Sequence, residues 1–162
     1  MTQDVLTRSD QMPAVGSHAP DFTLRDQHGQ DVTLSEAVQD GPVLVVFYPF
    51  AFSAICTNEL CALRDELSSF TDVGVRVLAV SCDPTYSLKA YAAAEGYEFS
   101  LLSDFWPHGE VARAYGVFDV PPGRAGRGTF LVDPDGIVRW SVVNHPGQPR
   151  DIADYRRAAL AL

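Results

Sequence analysis

An α/β fold, with a mixed central sheet and helices on both of its faces, follows from three features of this 162-residue chain. The apolar, β-branched run at residues 43–48 has strand length and reads as a central buried strand. Helical patterns alternate with further apolar runs through the middle of the chain. Two last runs, joined by Asp133-Pro134-Asp135-Gly136, read as a closing hairpin.

Residues 1–13 have few apolar side chains and no periodicity, so they read as a mobile tail before a single domain at residues 14–162. Phe22-Thr23-Leu24 and Val32-Thr33-Leu34 flank Asp26-Gln27-His28-Gly29, which predicts an N-terminal β-hairpin with a glycine-containing turn. Residues 35–38 form a helical turn closed near Gly41-Pro42. Pro49 stops the strand at 43–48, because proline has no N–H for a central ladder. Ser53 is placed as the N-cap of the next helix. Leu60, Leu63, Leu67 and Phe70 share one face of that helix, which is expected to run to about Phe70. Residues 75–81 form a strand ended by Asp83-Pro84, and residues 87–95 an alanine-rich helix with Gly96 just past its end. Residues 100–102 read as a short strand and 109–115 as a short helix. Two prolines and three glycines make 121–128 a loop. Residues 129–132 and 137–143 build the closing hairpin, and residues 150–162 the last helix.

Composition narrows the function. The chain is 46% hydrophobic and 20% charged, which is ordinary for a soluble globular protein. A net charge of −9 argues against nucleic acid or an anionic membrane as the main partner. No apolar run approaches the roughly 20 residues that span a bilayer. The first twelve residues hold no apolar core of a secretory signal. The three cysteines cannot all pair within one chain, and none forms a C-x-x-C pair. That usage suits a reducing cytoplasm and a reactive thiol. His18, His28, His108 and His145 show no metal-ligand spacing, and there is no phosphate loop. No metal, flavin or nucleotide cofactor is expected.

Cys56 is the candidate for chemistry. It falls in the first turn of the predicted helix, at the C-terminal end of a buried strand. There the unpaired N–H groups and the helix dipole favour a thiolate. Pro49, Ser53 and Cys56 form P-x-x-x-S-x-x-C, which resembles the P-x-x-x-[T/S]-x-x-C motif of peroxiredoxins. The resemblance extends over roughly residues 14–160. It takes in Ala19-Pro20-Asp21-Phe22-Thr23-Leu24, Glu59-Leu60, Leu101-Leu102-Ser103-Asp104, Ala114-Tyr115-Gly116-Val117 and Arg127-Gly128-Thr129-Phe130, in the family's order. Asp104-Phe105-Trp106-Pro107-His108-Gly109 looks most like the alkyl-hydroperoxide-reductase E subgroup.

The resemblance implies a thioredoxin-like fold and a thiol-dependent peroxidase. Its substrates would be hydrogen peroxide and organic hydroperoxides, with peroxynitrite as a further candidate. Cys56 would attack the terminal peroxide oxygen and become a sulfenic acid. Arg127 matches the family arginine that stabilises the thiolate and the leaving oxygen. Ser53 would orient the O–O bond; most of the family has threonine here. Pro49 would shield the sulfur from water. The apolar loop Phe50-Ala51-Phe52 is a candidate face for the homodimers common in the family. Trp106 is a candidate for the pocket edge, a dimer contact or the core.

Resolution of the sulfenic acid is open at this point. Cys61 follows Cys56 by five residues, a spacing similar to that of the Q-type (bacterioferritin-comigratory-protein) peroxiredoxins, whose resolving cysteine lies there. Five helical residues rise about 7.5 Å and leave the side chains roughly 140° apart. Their Cα atoms would then stand about 8 to 9 Å apart, beyond the roughly 7 Å that a disulfide bridges without backbone movement. A Cys56–Cys61 disulfide therefore requires the start of the helix to unwind. Cys61 can instead be a core cysteine, and Cys82 is a second candidate. If neither resolves, the resemblance implies an external reductant: thioredoxin, a mycoredoxin or a low-molecular-weight thiol such as mycothiol. A redox relay that passes oxidation to a partner protein would use the same site. The absent C-x-x-C argues against a thioredoxin-like reductase, and the intact Pro49, Ser53, Cys56 and Arg127 set argues against an inactive module.

Overall fold

The computed structural model describes residues 11–145 and 148–162. The expected tail at residues 1–13 therefore falls almost wholly outside the described residues. Among those described, Thr23–Arg25 (β1) and Asp31–Thr33 (β2) form the N-terminal hairpin. Leu34–Ala37 (α1) and a 3-10 turn at Val38–Asp40 follow. Gly41 closes the turn at φ 142°, where a Cβ would sit 2.6 Å from the Gly74 carbonyl oxygen. Only glycine fits there.

Val43–Phe47 (β3) is buried at every position and central to the sheet. Ala54–Asp65 (α2) carries Cys56. The expected single helix to Phe70 is in fact two, because Glu66 leaves helical geometry (φ −99°, ψ 7°) before Leu67–Asp72 (α3). No glycine or proline marks this break. The apolar face is as expected, with Leu60, Leu63 and Phe70 buried.

Arg76–Ser81 (β4) runs parallel to β3, and Thr85–Glu95 (α4) ends at Gly96 in the left-handed region. Ser100–Ser103 (β5) runs parallel to β4, and Glu110–Ala114 (α5) follows. Residues 121–128 are not simply a loop. Phe118–Asp119 (β6) pairs with Arg124–Ala125 (β7), and Arg127–Val132 (β8) already begins at Arg127. Val138–Asn144 (β9) completes the closing hairpin. Ile152–Leu160 (α6) is capped by Asp151, whose side chain accepts from the Ala153 N–H at 3.0 Å.

The sheet order is β2-β1-β5-β4-β3-β8-β9. The parallel β3–β4–β5 core is flanked by antiparallel strands on both sides, the mixed thioredoxin-like arrangement. One apolar layer gathers Val45, Phe47, Val80, Tyr115 and Phe130 under α1 and α5. The other gathers Leu44, Val46, Leu60, Leu63, Leu88 and Tyr155 under α2, α3, α4 and α6. Alternation along β3 sends successive side chains to opposite layers, so both faces must be covered.

This topology sets the position of Cys56. The C-terminal ends of β3 and β4 lie side by side, where open α/β sheets bind their ligands. Asp83, just past β4, accepts from the Ala51 N–H and from the Ser81 hydroxyl, each at 2.8 Å. That carboxylate ties the segment between β3 and α2 to the end of β4.

Candidate active site

Pro49 ends β3 and is buried. The chain then crosses Phe52 at φ 67°, a positive angle that costs a non-glycine residue strain. Ser53 takes the N-cap position with extended backbone (φ −70°, ψ 145°). Its hydroxyl makes no capping bond, which corrects the expectation that its side chain caps the helix. Backbone geometry alone starts α2 here, and the hydroxyl stays unengaged by the first turn.

Cys56 is the third residue of α2 and 1% exposed. Arg127 reaches it from β8: its Nη2 lies 3.7 Å from Cys56 Sγ. Its Nε donates to Glu59 Oε1 at 2.7 Å. Glu59 stands one turn beyond Cys56 on the same buried face of α2. Its other oxygen, Oε2, faces Nε of Arg150 as an ion pair rather than an aligned hydrogen bond. Arg150 also donates to the Phe47 carbonyl, to Thr129 Oγ1 at 2.7 Å and to the Tyr155 hydroxyl at 3.3 Å. Thr129 and Tyr155 are themselves bonded at 2.8 Å.

Two guanidiniums thus share one buried carboxylate, and one of them also faces the sulfur. A buried charge is tolerable only when paired and hydrogen-bonded. Glu59 fixes Arg127 so that its free N–H groups point toward Cys56. Negative charge on Sγ, or on an oxygen beside it, meets a cation that needs no reorganisation.

Pro49 and Arg127 line a cavity of about 180 Å³ with Val117, Phe118, Asp119 and Arg124. Cys56 does not line it; Arg127 connects the two. The structure therefore brings Arg127 to Cys56 and sets Pro49 in one cavity with Arg127, with Ser53 at the head of the helix that carries Cys56. Glu59 and Arg150 were not singled out from sequence as site residues. The signal for Glu59 was available: a carboxylate in register with Cys56, Leu60 and Leu63 lies on a buried face and must have a cationic partner. Arg150 carries no such signal: the sequence reading puts it at the start of the last helix, whereas that helix begins at Ile152 and leaves Arg150 before its cap.

Cys61 lies elsewhere. Its Sγ is 3.6 Å from Glu95 Oε2 and 3.5 Å from the Tyr97 hydroxyl, beside the C-terminal end of α4. α2 is continuous through both cysteines, and both are free thiols. Cys82 is buried, and burial, with Asp104 nearby, pushes its thiol up to about 12. That shift disfavours the thiolate, the form in which a cysteine attacks. Trp106 is 81% exposed, so it is not a core residue. Among the described residues no cluster of His, Cys, Asp and Glu could hold a metal ion, and no helix is long and apolar enough to cross a membrane.

Known proteins share both the sequence pattern and the fold of this chain. A model of the AhpC/TSA family matches residues 15–141. The alkyl hydroperoxide reductase E of Mycobacterium tuberculosis is 49% identical over 148 residues, 91% of this chain and 97% of that protein. The chloroplastic peroxiredoxin Q of Sedum lineare is 38% identical over 143 residues, 86% of this chain and 73% of that protein. The crystal structure of peroxidoxin BcpB from Mycobacterium tuberculosis superposes with a TM-score of 0.83 at 32% identity, over 93% of this chain and 97% of that one. A reduced 2-Cys peroxiredoxin of Plasmodium vivax gives a TM-score of 0.82 at 28% identity, over 91% of this chain and 80% of that one.

Proposed function

The chain belongs to the AhpC/TSA peroxiredoxin family and is a thiol-dependent peroxidase; on that premise we propose that Cys56 is the cysteine that peroxide oxidises. The observation that carries this assignment is the 3.7 Å approach of the Arg127 guanidinium to Cys56 Sγ, with Glu59 holding Arg127 in place. No other cysteine among the described residues has a cation at hydrogen-bonding distance from its sulfur.

The step runs as follows. Ionised Cys56 Sγ attacks the terminal oxygen of ROOH. An S–O bond forms and the O–O bond breaks. The leaving RO⁻ takes a proton and departs as an alcohol or water, and Cys56 is left as a sulfenic acid. Arg127 meets the charge that builds on the leaving oxygen. The Ser53 hydroxyl, unused as a cap, is free to hydrogen-bond the peroxide and align its O–O bond. Pro49 presents a buried apolar wall and carries no chemistry.

Cys61 then resolves the sulfenic acid. Its S–H proton joins the departing hydroxyl as water, and the Cys56–Cys61 disulfide forms. The five-residue spacing supports this, since the likeness to a peroxiredoxin Q extends over most of the chain. A dithiol protein such as thioredoxin or a mycoredoxin would reduce that disulfide, with a low-molecular-weight thiol as the alternative where Cys61 does not act. We place the protein in the cytoplasm, as a homodimer that packs the Phe50-Ala51-Phe52 loop against a second copy; the exposed Phe50 and Phe52 rings support this. The relatives are named as a reductase and peroxiredoxins, which favours the enzyme over a redox relay.

Coupled turnover tests this reading. Peroxide loss is followed with each reductant in turn: thioredoxin with its reductase, mycoredoxin with mycothiol, and mycothiol alone. Sustained turnover with a dithiol protein supports Cys61 as the resolving thiol. Turnover with mycothiol alone, not raised by mycoredoxin and absent with thioredoxin, assigns resolution to the small thiol.

A further inference from the structure

Disulfide formation demands that one turn of α2 opens, and one side chain touches both ends of that turn. In the helix, the Thr57 carbonyl accepts from the Cys61 N–H and so closes the turn between the two cysteines. The Tyr97 hydroxyl donates to this same Thr57 carbonyl at 3.3 Å. It also lies 3.5 Å from Cys61 Sγ. Tyr97 is 5% exposed, and its ring is stacked on Phe99 at 5.1 Å and edge-on to Tyr91 at 5.1 Å, so the hydroxyl has little room to turn away. Burial raises its pKa further above the usual phenol range, so it remains a donor. Glu95 holds the sulfur from the other side: Cys61 S–H points to Oε2 at 3.6 Å. Arg64, one helical turn along from Cys61, anchors the Glu95 backbone by donating to its carbonyl at 2.6 Å.

We propose that Tyr97 and Glu95 form a latch on the Cys56–Cys61 turn and set the rate at which the sulfenic acid is resolved. Both are positioning residues, since neither touches the peroxide site. The latch rests on Cys61 being the resolving thiol. While it is closed, Cys61 Sγ stays on the α4 side and Cys56 sulfenic acid has no partner. Opening requires the Tyr97–Thr57 bond and the Glu95–Cys61 bond to break together with the turn. The released Cys61 then attacks Cys56, forms the S–S bond and expels the hydroxyl, which leaves as water. A closed latch prolongs the life of the sulfenic acid. A second peroxide can then carry it to the sulfinic acid. The latch thereby sets how the enzyme divides between turnover and self-inactivation as peroxide rises.

The test uses the full chain, mixed rapidly with hydrogen peroxide and quenched by acid for intact mass. Sulfenic acid, disulfide and sulfinic acid are counted separately. The wild type is compared with Tyr97→Phe, Glu95→Gln and Tyr91→Phe. Tyr91 sits in the same cluster, bonded to Thr57 Oγ1 at 3.0 Å and to the Tyr97 hydroxyl at 3.4 Å, so it reaches the turn only through those groups and makes no hydrogen bond of its own to Cys61 or to the Thr57 carbonyl. Tyr97→Phe is expected to speed disulfide formation about fivefold, the worth of one buried hydrogen bond. It is expected to raise, by a similar factor, the peroxide dose that gives half sulfinic acid. Glu95→Gln should move both in the same direction, and Tyr91→Phe should move them less than Tyr97→Phe. A disulfide that forms at the wild-type rate in Tyr97→Phe overturns the latch and leaves Cys61 as the resolving thiol. Equal acceleration in Tyr91→Phe overturns it too, as general loosening. A wild type that gains oxygen and never loses two hydrogens overturns both the resolving role and the latch.

Discussion

Arg127 meets Glu59 at 2.7 Å inside the protein, with both side chains under a tenth exposed, and turns its remaining N–H groups toward Cys56. The pair joins the sheet to the helix, since Arg127 belongs to β8 and Glu59 to α2. The Cys56 sulfur and the Arg127 cation are therefore held by two different elements that a single carboxylate locks together.

Loss of that cation should be felt at the first chemical step. Arg127→Gln removes the donor that faces the sulfur. The second-order rate of reduced enzyme with hydrogen peroxide, followed by stopped flow, should fall about 10²- to 10³-fold. An unchanged rate would mean that the helix start alone activates Cys56.

Glu59→Gln tests the carboxylate that two guanidiniums share. The substitution leaves both cations buried with no counter-charge. Breaking a buried pair by removing one partner costs about 3 to 5 kcal/mol. The denaturant midpoint should drop accordingly in guanidinium titration, and the peroxide rate should fall with it, because Arg127 loses its anchor.

Asp104 gives the chain a pH signature separate from Cys56. Burial raises its carboxyl from 3.8 to about 6, although it accepts N–H bonds from Val111 at 3.1 Å and Ala112 at 2.9 Å. Between these two values the folded protein holds a proton that the unfolded chain has released. The contribution of Asp104 is therefore fully present below about pH 4 and is lost as pH rises through about 6. The full swing is about 3 kcal/mol. Urea titrations from pH 4 to 7.5 on wild type and Asp104→Asn should show the stability difference, wild type minus variant, falling with pH. A flat difference would contradict the assignment.

Cys82 should be silent. With its thiol pushed up to about 12, it should resist iodoacetamide at pH 8 in the native protein, and Cys82→Ala should keep peroxidase activity within about twofold. Peptide mapping after alkylation checks the first expectation and coupled turnover the second.

Gly128 sits beside Arg127 in β8, where a Cβ would stand 2.6 Å from Val117 Cγ1 and 3.2 Å from the Phe130 ring. Gly128→Ala should therefore destabilise the chain by about 1 to 3 kcal/mol through overpacking. Thermal denaturation of the variant reads this directly.

Long apolar runs and regular helix faces made much of this fold legible. The strand at 43–48 and the face of Leu60, Leu63 and Phe70 follow from burial, which the pattern records. Arg127 reads as a loop residue because Gly126 and Gly128 flank it and two prolines precede them. Its strand exists through tertiary pairing with β9, Arg127 opposite Asn144, a contact that local sequence does not encode. The break at Glu66 was hidden for the opposite reason: the apolar face continues across it, and no glycine or proline interrupts the pattern. At the site, the cysteine and its arginine carry motif signals. Glu59 and Arg150 are defined by where their charges meet in space, although they lie far apart in the chain. The contacts that hold Cys61 were likewise invisible, because Glu95 and Tyr97 come from another helix and its exit.

The most direct measurement is intact mass after one equivalent of hydrogen peroxide, without added thiol, on wild type, Cys56→Ser and Cys61→Ser. The wild type is expected to lose two hydrogens, Cys61→Ser to gain one oxygen, and Cys56→Ser to stay unchanged. Oxidation of Cys56→Ser at the wild-type rate, or a wild type that stays unmodified, would contradict Cys56 as the peroxide-reducing thiol.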